Sequence, residues 1–125
     1  MKTPFEEIGG EKTVKALVHH FYEYVALHPE LKPIFPDDLT ETKRKQVQFL
    51  TQFLGGEPLF SMEHGHPMLR ARHMPFEITP KRAKAWLSCM EAALNDIELD
   101  ETWRSAIFQR LTTTAEHMIN QPDRQ

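Results

Sequence analysis

The chain has 125 residues, of which 40% are hydrophobic and 26% charged, and its net charge is -3 with histidine neutral. This is the size and make-up of one globular domain with enough apolar side chains for a core, and the charge offers no global attraction to nucleic acid. One cysteine excludes an intrachain disulfide framework, and no apolar run approaches the roughly 18 residues needed to cross a bilayer, so no membrane partner is expected.

The first ten residues lack the apolar stretch of a secretory leader, which with the lone cysteine makes the reducing cytoplasm the expected compartment. Thr3-Pro4-Phe5-Glu6 is a capping box with proline at the first helical position. It predicts a very short helix stopped by Gly9-Gly10. Over residues 11–27, Val14, Leu17, Val18, Phe21, Tyr22 and Val25 follow the i, i+3, i+4, i+7 spacing of one helix face. His28-Pro29 ends that helix. Pro29, Pro33 and Pro36 leave room for one tight turn. Thr40 is placed to cap a helix running to about Leu54, with Gln46, Phe49, Leu50, Phe53 and Leu54 inward, and Gly55-Gly56 stops it.

Residues 57–78 read as irregular, with about two helical turns near 67–73. Thr79-Pro80 opens a helix to about Asp96 that buries Ala83, Trp86, Leu87, Met90, Ala93, Leu94 and Ile97. Asp100 caps a last helix to about Asn120, with Trp103, Ile107, Leu111, Ala115 and Met118 inward. No segment alternates with period two, so strand content near zero is expected. The reading is a single all-α domain over residues 1–125, with a tail from about residue 121.

The long stretch before the Thr79 cap is the unusual feature. Loops beyond about 12 to 15 residues in a compact domain are mostly functional or disordered. This one carries Phe60, His64, His66, Arg70, Arg72, His73 and Phe76, a poor composition for a disordered linker. His64, His66 and His73 admit a zinc reading, but zinc wants three or four ligands in close pairs and the cysteine lies far off in a helix. A single axial haem ligand asks less: one neutral imidazole, an apolar slot, and cations at the propionate edge. His73 meets the first demand, with Arg70 and Arg72 beside it. The plainer alternative, a structural loop histidine, stays open on the residues alone. Gln46 interrupts an otherwise apolar face, and a buried amide costs free energy unless it is bonded.

Gly65-His66-Pro67-Met68-Leu69-Arg70-Ala71-Arg72-His73-Met74-Pro75-Phe76 resembles the proximal segment of group II truncated haemoglobins. Ala85-Trp86-Leu87-Ser88-Cys89-Met90 is similar to that family's tryptophan-bearing helix. Phe21-Tyr22 followed by Val25 resembles its distal tyrosine helix, and both double glycines fall where the family has them. The likeness runs over roughly residues 4–120. It implies a two-over-two helical sandwich, a shortened globin, holding haem b (iron protoporphyrin IX). It makes His73 the proximal iron ligand, with Nδ1–H donating to a nearby carbonyl. It places Tyr22, Trp86, Gln46, Thr42 and Phe35 on the distal side. Thr42 and Gln46 are one turn apart on one face.

Lys45 and Arg72 match propionate-binding cations, with Arg70 a weaker candidate, and solvated surface charge is the alternative for all three. Phe49, Leu50, Leu54, Phe60, Leu69, Met74 and Phe76 are expected to pack on the haem. Phe60 departs from relatives that carry a tyrosine there, which leaves apolar packing as its role. Cys89 reads as a small buried hydrophobe. The implied function is reversible binding of oxygen, and of nitric oxide, carbon monoxide or peroxide as alternative small ligands, for storage or scavenging. The alternative is haem redox chemistry, nitric oxide dioxygenase-like or peroxidase-like, which needs an external reductant such as a partner reductase. A monomer or weak dimer is expected.

Overall fold

The computed structural model describes residues 2–123, and among them no strand occurs. The helices are α1 (Pro4–Glu7), α2 (Glu11–Leu27), α3 (Thr40–Phe53), α4 (Leu59–His64), α5 (Leu69–His73), α6 (Pro80–Asp96) and α7 (Glu101–Met118), with a 3-10 turn at Lys32–Ile34. The ends follow the local chemistry. Thr3 and Glu6 close a reciprocal capping box on α1. Thr79 accepts from the Arg82 amide at the start of α6, and Asp100 accepts from the Thr102 amide at the start of α7.

α2 packs on both α3 and α6, and α6 packs on α7, giving the two-over-two arrangement. The predicted face of α2 is buried in full. Opposite it, α6 contributes Ala85, Cys89, Met90, Ala93 and Leu94, and α7 contributes Ile107 and Leu111. Cys89 is a free thiol within this core, and burial pushes its pKa up. α1 docks on the end of α3, where the Phe5 amide donates to the Leu54 carbonyl at 2.9 Å. The two double glycines meet at the Phe5 ring. A Cβ on Gly10 would lie 3.8 Å from it, and one on Gly56 would lie 3.1 Å from it and 2.9 Å from Thr51 Cγ2.

Several local expectations are corrected. Thr40 is the first residue of α3 rather than its cap; Leu39 holds the cap position, and Asp38 accepts from the Thr40 amide at 3.0 Å. Residues 59–64, read as irregular, form α4, and α5 is one turn rather than two. Trp86, Leu87 and Ile97 are half-buried rather than fully buried, Trp86 and Ile97 packing against the core, and α7 ends at Met118, short of Asn120. The tail expected over 121–125 is docked as far as it is described: the Gln121 amide donates to the Ile78 carbonyl, and Asp123 accepts from the Lys81 amide at the start of α6. Residues 124 and 125 lie outside the described residues.

Candidate functional site

The layers leave a cavity of about 530 Å³ between α2, α3, α6, α7 and the segment from α4 to Ile78, within the range of small-molecule and cofactor sites. α2 contributes Tyr22. α3 turns Thr42, Lys45, Gln46 and Phe49 toward the cavity, the i, i+3, i+4, i+7 set of one helix face. α6 contributes Trp86. Phe35, Phe60, Leu69, Arg72, His73 and Phe76 complete the part foreseen from the sequence.

Three expected packing residues are not in the lining. Leu50 and Leu54 are fully buried in the core with α2 and α6, and Met74 is 55% exposed. The lining also includes residues that were not singled out for the site. Leu31 and Ile34 belong to the proline-bounded turn, and Ile78, Arg82 and Ala83 flank the start of α6. Leu111, Thr114, Ala115 and Met118 are on α7. The inward periodicity of α7 was a usable signal for Leu111, Ala115 and Met118. Nothing local marked Arg82, whose Nη1 donates to the Glu77 carbonyl at 2.7 Å.

The polar residues of the lining differ in their hydrogen bonding. His73 Nδ1 lies 2.7 Å from the Leu69 carbonyl. A carbonyl only accepts, so Nδ1 carries a proton, and in the neutral ring Nε2 then keeps its lone pair. Tyr22, Trp86, Gln46 and Thr42 also line the cavity, and none makes a side-chain hydrogen bond to another described residue. Tyr22 is only 3% exposed, and desolvation raises its phenol pKa well above the ordinary value, so the hydroxyl stays protonated as a donor. Edge-on ring contacts hold the aromatic side chains: Phe21 with Tyr22 at 4.8 Å, Phe21 with Trp86 at 5.1 Å, and Tyr22 with Phe35 at 5.9 Å.

At the rim, the Arg72 guanidinium sits 5.1 Å over the Phe60 ring and donates from Nη2 to the His64 carbonyl at 2.8 Å and the His66 carbonyl at 3.2 Å. Lys45 is exposed beside the cavity and forms no ion pair with a described residue. Arg70 is turned away from the lining and donates to the His117 and Ile119 carbonyls. The other loop histidines are engaged separately: His64 Nε2 lies 2.9 Å from Gln48 Oε1, and His66 Nδ1 accepts from the Met68 amide.

The implied haem fits these residues. The space suits a cofactor, His73 engages only its Nδ1, and the side-chain donors of Tyr22, Trp86 and Gln46 line the same cavity without a partner among the described residues. Polar groups that reach a cavity and bond no neighbouring side chain are free to pair with an occupant. α4 seals the edge: Gln52 Nε2 donates to Ser61 Oγ at 2.8 Å, and Arg44 Nη1 donates to Glu63 Oε1 at 2.7 Å. The Arg44 guanidinium holds the Glu63 carboxyl down at about 2.

Comparisons with known proteins agree with this arrangement. The bacterial-like globin family model matches residues 3–120. The group 2 truncated hemoglobin YjbI of Bacillus subtilis is 61% identical over 120 residues, which cover 96% of this chain and 90% of that protein. The crystal structure of the group II truncated hemoglobin from Bacillus anthracis superposes with a TM-score of 0.97 at 63% identity, covering 99% of this chain and 95% of that one. The structure of the truncated oxygen-avid haemoglobin from Bacillus subtilis gives a TM-score of 0.92 at 60% identity, covering 95% of this chain and 100% of that one.

Proposed function

Because the chain belongs to the group II truncated haemoglobins of the bacterial-like globin family, we propose that it binds haem b through His73 and reversibly holds oxygen or another diatomic ligand beneath Tyr22, Trp86 and Gln46. Haem would be held by His73 and would supply an iron able to bind a small diatomic ligand. The chain supplies the rest. Leu69 fixes the tautomer and orientation of His73 through the 2.7 Å bond to Nδ1. Tyr22, Trp86 and Gln46 present donors to a ligand that gains negative character on binding. Phe35 and Phe49 pack around it as apolar surface. Lys45 and Arg72 stand at the rim as propionate partners. Slow ligand release suits storage or scavenging better than rapid delivery.

The observation that carries this reading is the set of unpartnered donors facing the same cavity as a histidine with one nitrogen already engaged. The purified chain is loaded with haem and reduced, and its visible spectrum is followed as oxygen is admitted and withdrawn. A Soret band that shifts reversibly is expected, with His73→Gly losing it or needing added imidazole to restore it. A wild-type chain that takes up no haem would defeat the proposal, as would oxygen release as fast in the wild type as in Tyr22→Phe and Trp86→Leu.

A further inference from the structure

The loop between α5 and α6 is fastened to the end of α7 by a residue outside the cavity. Asn120 follows α7, 47 residues after His73 in sequence. Its Oδ1 accepts from the Ile78 amide at 3.0 Å. Its Nδ2 donates to the Phe76 carbonyl at 3.0 Å and to the His73 carbonyl at 3.3 Å. Its own amide donates to the Ile78 carbonyl at 2.9 Å. One side-chain amide therefore uses both its ends on three backbone groups of the segment that begins with His73. Arg70, one turn earlier on α5, reaches across the same seam, its Nη1 donating to the His117 carbonyl at 2.6 Å and the Ile119 carbonyl at 2.8 Å.

α5 has only five residues, too short to hold a helical conformation by itself. The orientation of the His73 ring depends on the Leu69 carbonyl within that same helix, so what fixes α5 fixes the ring. We propose that Asn120 is a positioning residue for His73, with Arg70 as its partner in a latch between the end of α7 and the proximal segment. The inference rests on the haem-binding reading of His73. The latch would hold the imidazole in place when haem is bound, and so would influence both the iron–histidine bond and the rate at which haem leaves.

The test uses the haem-loaded protein and three readouts: the iron–histidine stretching band of the ferrous unliganded form, the rate of haem transfer to an acceptor globin, and amide exchange at Ile78. Asn120→Leu removes every side-chain bond that Asn120 contributes to the latch. It is expected to shift or broaden the band, speed haem loss on the order of tenfold, and accelerate exchange at Ile78. Asn120→Asp keeps the acceptor for the Ile78 amide but loses the donor, so it is expected to restore amide protection without restoring the band. Arg70→Gln leaves Asn120 in place and keeps the test alive if Asn120→Leu fails to fold; it is expected to move the band in the same direction by less. In His73→Gly rescued with free imidazole, Asn120→Leu is expected to leave the iron–imidazole band unchanged, because the tether is already cut. An unchanged band and unchanged haem loss with faster exchange at Ile78 would overturn the inference alone. Absence of an iron–histidine band from the wild-type protein would overturn the haem reading, and the inference with it.

Discussion

Tyr22 and Gln46 make no hydrogen bond to each other or to another described side chain, although both line the cavity and Tyr22 is almost fully buried. That separates two accounts of the polar distal residues. If they serve a ligand, Tyr22→Phe and Gln46→Leu each remove one donor to it. A net hydrogen bond is worth about 1 kcal/mol, or about 1.5 where charge is involved, so each substitution should speed oxygen dissociation by roughly 5- to 13-fold. Together they should speed it by at least tens-fold. If instead the two residues stiffen the pocket by bonding each other, the pair should show coupling in the stability of the apoprotein.

The structure predicts no such coupling: a double-mutant cycle on apoprotein urea unfolding should be additive within about 0.5 kcal/mol. Neither single substitution breaks a hydrogen bond to another described residue, so neither should lower apoprotein stability by more than about 1 kcal/mol. Stopped-flow oxygen release and urea titration measure both halves. Release rates unchanged in both variants, with a coupling energy near 1 kcal/mol in the apoprotein, would refute the reasoning.

Three further outcomes follow from particular atoms. Thr51 Oγ1 is buried without a partner, so Thr51→Val, which keeps the shape and deletes the hydroxyl, should raise unfolding stability by about 1 kcal/mol; a loss of stability would show an unrecognised partner. Gly56→Ala should destabilise by about 1–3 kcal/mol, because its Cβ would stand 2.9 Å from Thr51 Cγ2 and 3.0 Å from the Thr51 carbonyl, which is backbone and cannot step aside; an unchanged thermal midpoint would contradict this. Glu63 titrates in the folded state at about 2, held down by Arg44. Its stabilising contribution is therefore complete above the ordinary carboxylate range and lost as pH falls through about 2. Glu63→Gln should flatten that part of the acid limb, and 1 M salt should do the same to the wild type because both side chains are solvent-facing; an identical acid limb in wild type and variant would exclude the Arg44 pairing as its source.

The long helices were legible because their signals are local. A capping box, a proline after a threonine and an apolar stripe at helical spacing need no knowledge of the rest of the chain, and α1, α2, α6 and α7 carry them. α4 has no such signal. It is six residues long, and it is held by α3: Gln52 bonds both the Ser61 amide and its hydroxyl, and Gln48 and Arg44 reach Glu63. Those bonds cross 9 to 19 positions, which periodicity does not register. The cap of α3 was misplaced for a smaller reason, since Asp38 competes with Thr40 for the same role two residues earlier.

The same distinction explains the errors in the site. α3 presents one apolar face and one mixed face to two different surroundings. Leu50 and Leu54 enter the core, while Thr42, Lys45, Gln46 and Phe49 face the cavity. An apolar pattern alone merges the two, and the polar interruption at Gln46 is what marks the cavity side. Arg70 and Arg72 are one residue apart on either side of Ala71, and their charge is identical, so composition could not tell them apart. Their partners do: Arg72 stays over Phe60 at the rim, whereas Arg70 is turned to carbonyls 47 and 49 residues ahead. The chemistry of the site was therefore readable wherever a residue's type conflicts with its local pattern, as at Gln46 and His73. It was hidden where a residue's role depends on a distant backbone group, as at Arg70 and Asn120. The short proximal helix belongs to the second kind, and its geometry depends as much on the end of α7 as on its own five residues.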